Sequence, residues 1–355
     1  MPGSERRHAV PSMAVLRRLC TAVGVSGDEG EVRKIILDEL KPAASDVRVD
    51  ALGNVLITRK RRAGRRPRVM LDAHMDEVGF MLVVDSGDGL FEFSAIGGLD
   101  PRGIAGKQVV VGSKRTPGVI GTKAIHLVSA DDLKRPISME ALRIDLGPGG
   151  KAEVGERGSF APNFRRAGAS IMSKSLDNRL GVSILIELLR HPPANVDILA
   201  AFTVQEEIGL RGAQVAANHF KPDLAIVIDA TPANDLPMQR EGENNFFNAK
   251  LGLGPAIYVS NRNTIDDPRL VRFLMETARQ TRIPFQIRQP GGGGTDAGAI
   301  QKAVEGIPVV SVSVPSRYPH TAMSVARIDD WRNTYALLSA AVRRITPNLL
   351  RRGAP

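Results

Sequence analysis

The stretch "VMLDAHMDEVGF", Val69 to Phe80, begins as an apolar strand and then places a histidine and two acids where apolar residues should continue. His74 and Asp76 are two residues apart, so on an extended strand their side chains point to the same side, whereas Glu77 points to the other. A carboxylate beside a histidine can fix the tautomer of the ring and aim its free nitrogen at a metal. Taken alone, the pair fits a hydrogen-bonded structural histidine better than a metal ligand.

Polar residues also follow apolar segments directly at other places in the chain, and one more, Asp177, lies just ahead of a predicted helix. The segments are "AAFTVQEEIG", "LAIVIDAT", "SLDNRLG" and "SVPSRYPHT", and the residues are Glu206, Glu207, Asp229, Asp177 and His320. Ligand crevices of α/β proteins form at the carboxyl ends of the strands. Several carboxylates meeting there would repel each other strongly, and divalent cations would remove that cost. The sequence therefore predicts a metal site.

The types of ligand indicate the class of metal. Two histidines with carboxylates suit zinc, cobalt or manganese better than calcium, which takes oxygen ligands only. The ligands are numerous enough for two ions that share a carboxylate, and such a pair can hold a bridging water and polarise a carbonyl group. The adjacent acids Glu206 and Glu207 can then take different roles, because one can bind metal while the other acts as a general base.

The elements that must position these residues alternate between helix and strand at both ends of the chain. Helices are predicted in "SMAVLRRLCTAV", "EVRKIILDELK", "NRLGVSILIELLRH", "PRLVRFLMETARQ", "DAGAIQKAVE" and "DDWRNTYALLSAAVRRI". Between Gly79 and Asn163 the apolar runs become short and strand-like, and 15 of the 35 glycines fall there. This pattern predicts one α/β domain, residues 1–78 and 164–355, interrupted by a β-rich domain, residues 79–163.

Composition argues against several classes of protein. The net charge of +10 is concentrated in "RKRRAGRRPR", Arg59 to Arg68, which we interpret as a solvated hairpin connection. Aromatic residues make up 4% of the chain, so a base-stacking surface and nucleic-acid binding are not expected. No uncharged apolar stretch reaches about 18 residues and no signal-peptide pattern is present, so we expect a cytoplasmic protein without membrane contact. The single cysteine, Cys20, is predicted to be a core residue.

The motifs together resemble a known family, the di-metal aminopeptidases that include glutamyl and deblocking aminopeptidases and the tetrahedral aminopeptidases, some of them labelled endoglucanase. The matching stretches follow the family's order and span nearly the whole chain: "GVSGDEGEVR", "DALGNVL", "AHMDEVGF", "IGGLDPRGIAGKQVVV", "KSLDNRLG", "QEEIGLRGA", "VIDATPA", "GGGGTDAGAIQ" and "SVPSRYPHT". The resemblance implies a mixed-sheet α/β/α catalytic domain like that of di-zinc exopeptidases, with an inserted β-barrel domain. In relatives this insertion builds dimers, and the dimers assemble into tetrahedral dodecamers.

The resemblance also implies a role for each candidate site residue. One metal ion, zinc in the first instance with cobalt or manganese as alternatives, would be bound by His74, Asp177 and Asp229. The second ion would share one carboxylate with the first and would be bound by Asp177, Glu207 and His320. Glu206 matches the general base, and Asp76 matches the acid that orients the first histidine.

The function that follows is hydrolysis of the N-terminal bond of a peptide, in which a water between the metals loses its proton to Glu206 and attacks the carbonyl carbon. Candidate substrate contacts are Asp296, Arg317 and Tyr318. Three alternatives stay open: a metal-dependent amidohydrolase that removes acyl groups from modified amino acids or peptides, a glycan hydrolase as the endoglucanase label suggests, and a binding protein without activity.

Overall fold

The computed structural model describes residues 10–41, 46–59, 66–131, 134–237, 248–289, 291 and 293–351. Most of the basic run, residues 60–65, lies outside these ranges, as does Gly292 of the glycine run. Numbered along the chain, the helices are α1 (Met13–Thr21), α2 (Gly30–Leu40), α3 (Pro101–Ile104), α4 (Leu176–Arg190), α5 (Arg211–Phe220), α6 (Pro268–Thr281), α7 (Ala297–Ile300) and α8 (Ile328–Val342).

The strands belong to two separate sheets, one of them closed into a barrel. Numbered along the chain, they are β1 (Val47–Val49), β2 (Val55–Arg59), β3 (Arg68–His74), β4 (Gly79–Gly87), β5 (Leu90–Ile96), β6 (Gln108–Val111), β7 (Thr116–Gly121), β8 (Arg143–Asp145), β9 (Arg157–Phe160), β10 (Arg165–Ala167), β11 (Ser170–Ser173), β12 (Asp197–Thr203), β13 (Leu224–Pro232), β14 (Ala256–Ile257), β15 (Gln286–Ile287), β16 (Val309–Arg317) and β17 (Ser324–Arg327).

The larger sheet has the order β1-β2-β12-β3-β13-β16-β17-β11-β10, and β14 pairs with β16 and β15. Its central strands β12, β3, β13 and β16 run parallel, so their carboxyl ends meet at one edge. These strands are apolar runs buried on both faces, as expected for a parallel sheet covered by helices. At the edge, Thr203 of β12 pairs with His74 of β3, which brings the residues after β12 beside the histidine.

The predicted hairpin at the basic run is wrong. β12 lies between β2 and β3, pairing antiparallel with the first and parallel with the second. The two strands that flank the run are therefore not hydrogen-bonded neighbours. Strand β12, which comes more than 100 residues later in the chain, lies between them. Its apolar side chains are buried on both faces, which suits a central position in the sheet.

Helices cover the larger sheet on both faces, since alternate side chains of each strand point to opposite sides. Val69 and Leu71 of β3 belong to the core cluster that includes residues of α1, α2, α4 and α8. Met70 belongs to a second cluster, which includes residues of α5 and α7. Cys20 is fully buried in the first cluster, as predicted, and burial raises the pKa of its thiol to about 12.

The smaller sheet is a closed barrel in the order β4-β5-β8-β7-β6-β9. Its core contains Phe80, which packs edge-on against Phe93 and Phe160 at ring distances of 5.2 and 5.3 Å. A mixed α/β sheet with an inserted barrel is the predicted fold class, which is confirmed. The division at residues 79 and 163 stays a prediction. Within the described ranges, no helix has the length and apolar character needed to cross a membrane.

Candidate metal centre

Two groups of side chains at the carboxyl edge of the central strands have metal-ligand chemistry. Within each group the ligand atoms lie within 4.8 Å of one another, and the groups are His74, Asp177 and Asp229, and Asp177, Glu207 and His320. These are the two ligand sets that the resemblance implied. The structure thus brings together all five predicted metal ligands, although they come from distant parts of the chain.

Asp177 lies between the two groups and turns one oxygen toward each. Its Oδ1 is 3.2 Å from Nε2 of His74, and its Oδ2 is 3.6 Å from Nε2 of His320. His74 Nε2 is also 3.4 Å from Oδ1 of Asp229, and His320 Nε2 is 3.2 Å from Oε2 of Glu207. A carboxylate divided in this way is suited to bridging two cations.

The sheet explains why these residues meet. His74 is the last residue of β3, and Asp229 lies in the neighbouring strand β13. Glu207 and His320 follow the parallel strands β12 and β16, and Asp177 lies in the first turn of α4. Parallel strands end at a common edge, so residues that follow them share one crevice.

Asp76 is fully buried and contacts His74 and the backbone of Glu206 and Glu207. Its Oδ1 lies 3.4 Å from Nδ1 of His74 and accepts a 3.0 Å hydrogen bond from the backbone N–H of Glu206. Its Oδ2 accepts hydrogen bonds from the Ser26 hydroxyl at 2.6 Å and from the backbone N–H of Glu207 at 3.2 Å. Burial alone would raise the pKa of Asp76, but His74, the Ser26 hydroxyl and the Glu206 N–H hold it below its usual value. Asp76 therefore orients one ligand and fixes the backbone of both acids.

The barrel domain contributes a second support. Nδ1 of His320 lies 2.9 Å from the carbonyl oxygen of Gly98, in the segment between β5 and α3. A Cβ at Gly98 would lie 3.3 Å from that nitrogen, so a side chain there would crowd the ring. The contact fixes the tautomer with hydrogen on Nδ1 and leaves Nε2 directed at Asp177 and Glu207.

The site contains several buried carboxylates, and their burial and mutual repulsion shift the pKa values of the residues in it. Burial raises the pKa of Asp229 to about 7 and that of Glu206 well above its usual value, and the Glu207 charge adds to the effect on Glu206. Burial opposes the charged form of His320, but the carboxylates of Glu207 and Asp177 raise its pKa to about 11. The charge that retains these protons would also attract a cation, so metal binding would release protons.

A cleft of about 620 Å³ opens over these groups. Its wall includes all five candidate ligands and also Glu206, which belongs to neither ligand group. A carboxylate that faces the cleft and stays outside the ligand sets is placed to exchange protons with a bound substrate.

The predicted substrate contacts have three different environments. Asp296 is 1% exposed, and its Oδ2 accepts a 2.7 Å hydrogen bond from Thr203, so it lies beneath the cleft wall. Arg317 forms an ion pair with Asp235 at 2.6 Å. Tyr318 is 47% exposed. None of the three is among the described residues that line the cleft. Their contact with substrate stays a prediction.

Sequence reasoning missed two groups of buried residues beside the site. Glu77 forms ion pairs with Lys174 at 2.7 Å and with Arg179 at 3.2 Å, and all three are essentially unexposed. Asp72 is fully buried in β3, two residues before His74, and burial raises its pKa well above the usual value. The signal for Asp72 was present, because strand alternation places residues 72 and 74 on one face.

The chain is similar to known proteins over most of its length. The model of the family described as M42 glutamyl aminopeptidase matches residues 53–337. The chain is 32% identical to a lysyl aminopeptidase of Pyrococcus furiosus, over 94% of this chain and 97% of that protein. It is 30% identical to a glutamyl aminopeptidase of Lactococcus lactis, over 92% of this chain and 94% of that protein.

Solved structures resemble the whole chain as well. One is the TET1 peptidase of Pyrococcus horikoshii, described as able to assemble into a tetrahedron or a large octahedral shell. The TM-score is 0.81 at 30% identity, and the match covers 94% of this chain and 99% of that one. The likeness therefore includes the larger sheet and the inserted barrel.

Proposed function

Because the chain belongs to the M42 glutamyl aminopeptidase family, we propose that it is a metal-dependent aminopeptidase that releases N-terminal residues from peptides. The observation that carries this proposal is the position of Asp177, whose two oxygens are divided between two complete ligand groups. A structural histidine with one acidic partner would not require the second group. The family membership confirms the resemblance on which the sequence prediction was based.

The residues fit two divalent cations per subunit, with zinc favoured and cobalt or manganese as alternatives. One ligand set would be His74, Asp177 and Asp229, and the other Asp177, Glu207 and His320. When bound, such a pair supplies Lewis acidity toward a carbonyl oxygen and a water of lowered pKa. The site fits this chemistry because each ligand set has one imidazole and two carboxylates, and their ligand atoms lie close enough together to bind one cation.

Residues of the chain would transfer the proton that the attacking water loses. Glu206 lies on the cleft wall outside both ligand sets, and Asp76 holds its backbone N–H at 3.0 Å. We assign to its carboxylate the removal of a proton from the attacking water and the delivery of that proton to the departing amine. Asp76 would act as a positioning residue, since it orients His74 and both acids.

The assembly of the protein forms part of the proposal. The barrel exposes large apolar side chains, including Ile125 at 75%, Leu127 at 61% and Val154 at 59%. Exposed apolar side chains are available for association between chains. With the assemblies described for TET1 peptidase, they support dimers built through the barrel and a tetrahedral dodecamer. Native mass spectrometry would give the mass of two or twelve chains, and a monomer at micromolar concentration would contradict the proposal. The cytoplasmic location stays a prediction.

The test of the activity uses protein stripped of metal and reloaded with zinc, cobalt or manganese. We expect release of the N-terminal residue from peptides with a free amine, loss of activity with chelator and recovery on reloading. Turnover of N-acetylated peptides in preference to free ones would favour the amidohydrolase, and metal-independent cleavage of a glucan would favour the glycan hydrolase.

The role of Glu206 has a matched test. Glu206→Gln should lower kcat by about 10²–10⁴-fold, the range for loss of a general base, while it binds the same number of metal ions as the wild type. Glu305→Gln makes the same substitution at an exposed position away from the cleft and should leave kcat unchanged. A Glu206→Gln protein with full activity would exclude Glu206 as the base.

The identity of the preferred N-terminal residue is a separate question. The two relatives compared above are named for opposite charges, lysyl and glutamyl, and their identities to this chain differ by only two percentage points, 32% and 30%. Overall similarity therefore does not decide the charge of the substrate side chain, and the residues of the cleft must decide it.

A further inference from the structure

The wall of the cleft above the ligand groups carries both negative and positive charge. The negative charge comes from the ligand carboxylates and Glu206. The rest of the wall includes two guanidinium groups, from Arg288 and Arg262, and no further carboxylate among the described lining residues. Cations bound by the ligands would neutralise the acidic groups, which leaves the arginines as the charge that a substrate side chain meets.

Arg288 is fixed in place and is only 1% exposed. Its Nε donates a 2.9 Å hydrogen bond to the hydroxyl of Thr231, its two terminal nitrogens donate to backbone carbonyls of Gln289 and Gly291, and its guanidinium carbon lies 4.7 Å from the ring centre of Tyr258. These are neutral partners. Among the described residues, none forms an ion pair with Arg288. Three of its five N–H donors are used, so two are left for a ligand.

The position of Arg288 relative to the ligands follows from strand geometry. Thr231, which holds Nε, lies two residues after Asp229 on β13, so both side chains point to the same face about 7 Å apart. Arg288 therefore lies within reach of the first side chain of a peptide whose amino terminus lies at the ligand groups.

Arg262 lies on the same wall and is exposed. It forms no ion pair with the residues that the structure describes. Its neighbour Asn263 packs against the glycine run: a Cβ at Gly294 would lie 2.2 Å from the Asn263 side chain, and one at Gly298 would lie 2.5 Å from it. The glycines thus allow close approach of two segments that line the cleft, which fixes the backbone that carries Arg262.

We propose that these two arginines make the enzyme selective for peptides with an acidic N-terminal residue, glutamate or aspartate, a conclusion that rests on the aminopeptidase function proposed above. Arg288 is buried and forms no ion pair among the described residues, although the Asp266 carboxylate acts on it from beyond ion-pair distance. A substrate carboxylate would supply an ion-pair partner through charge-assisted hydrogen bonds. A lysine side chain would instead place a second positive charge beside Arg288. The arginines are specificity-determining residues and take no part in the proton transfer.

The first test compares substrates that differ in charge and little in shape. The metal-loaded, full-length protein is assayed with the p-nitroanilides of glutamate, glutamine, leucine and lysine. We expect kcat/KM for glutamate to exceed that for glutamine by about 10- to 100-fold, the range for a charge-assisted hydrogen bond, with lysine slowest. Preference for glutamine, leucine or lysine would overturn the inference and leave the aminopeptidase function standing. No turnover of any substrate would instead contradict the proposed function.

The second test assigns the selectivity to the arginines. Arg262→Gln should reduce the glutamate-to-glutamine ratio of kcat/KM by about 3- to 10-fold, mainly through KM, and Arg262→Glu should raise the relative rate with lysine. Arg288→Lys keeps the charge but loses the planar fork, so it should reduce the same ratio. Arg272→Gln removes an exposed charge from α6 outside the cleft and is the matched control. A ratio that is the same in Arg262→Gln, Arg288→Lys and the control would overturn the assignment. If Arg288→Lys does not fold, the kcat/KM ratios of the two Arg262 variants test the assignment.

Discussion

A group of three buried charges beside the metal ligands should respond strongly to the loss of one carboxylate. Glu77 is 2% exposed, and Lys174 and Arg179 are unexposed. The Lys174 ammonium lies 2.7 Å from both oxygens of Glu77, and Arg179 Nη2 lies 3.2 Å from one of them. Glu77→Gln keeps the volume of the side chain and removes its charge, which leaves two cations buried together.

The expected cost is large because the two cations have no other carboxylate within ion-pair distance among the described residues. Loss of one partner of a buried pair costs about 3–5 kcal/mol, and we expect Glu77→Gln to lower the free energy of unfolding by that amount at pH 7. Burial already lowers the pKa of Lys174, and removing Glu77 would lower it further. The folded variant would then bind fewer protons than the unfolded chain, so its deficit should shrink as the pH rises toward 10.

Urea unfolding of the metal-free protein measures this effect. The single tryptophan, Trp331, is fully buried and reports on the catalytic domain through its fluorescence. The double variant Glu77→Gln, Lys174→Met removes one charge of each sign and should recover at least half of the loss. A Glu77→Gln protein within about 1 kcal/mol of the wild type, or a deficit that does not change with pH, would refute the reasoning.

Three further predictions concern the site and its surroundings. Asp76→Asn should weaken metal binding by about 10- to 100-fold, measured by competition with a chromogenic chelator, because His74 loses the carboxylate that orients it; unchanged affinity would contradict that role. Metal affinity should fall as the pH is lowered from 8 to 6, because the pKa of Asp229 is raised to about 7 and a proton then competes with the cation; calorimetry at several pH values checks this, and a flat profile would count against it. Burial raises the pKa of Asp266 to about 6, so the folded state loses stability as the pH rises from 4 through 6. Asp266→Asn, which can still accept the Ser311 N–H, should therefore increase the free energy of unfolding by about 2–3 kcal/mol at pH 8 and leave it unchanged at pH 4; an equal effect at both pH values would exclude this explanation.

Four of the five candidate metal ligands were predictable because each one ends or follows an apolar strand, whereas Asp177 lies at the start of a helix. Burying acids and histidines directly after strands costs free energy unless they are paired or bind a cation. The parallel sheet brings the ends of these strands to one edge, where such residues can meet. His74 and Asp229 show this signal directly in the sequence. The division of Asp177 between two ligand groups came from the family resemblance, since spacing alone does not specify which acid is shared.

Elements that depend on small or distant contacts were harder to predict. Helix α5 was missed because its buried face consists largely of Ala213, Ala216 and Ala217, which give little apolar contrast in the sequence. The helix predicted in "DAGAIQKAVE" ends at Ile300. The backbone N–H groups of Lys302 and Ala303 bond to carbonyls three residues back, and that of Val304 donates to the side chain of Asn218 on α5. This tertiary contact takes the place of the hydrogen bond that Val304 would form in a continuing helix.

The buried charges were not predicted for a related reason. Alternation on a strand shows that Glu77 points away from Asp76, but it does not show what lies on that side. Lys174 and Arg179 come from a segment about 100 residues later and approach Glu77 only after the sheet has formed. Partners of this kind depend on packing, which local sequence patterns do not contain.

The central claim is that two cations share the carboxylate of Asp177. A crystal of the zinc-loaded protein, measured at wavelengths on both sides of the zinc absorption edge, tests it directly. We predict two anomalous peaks per chain about 3.5–4 Å apart, with one oxygen of Asp177 bound to each. A single peak, or two peaks with Asp177 bound to neither, would contradict the account.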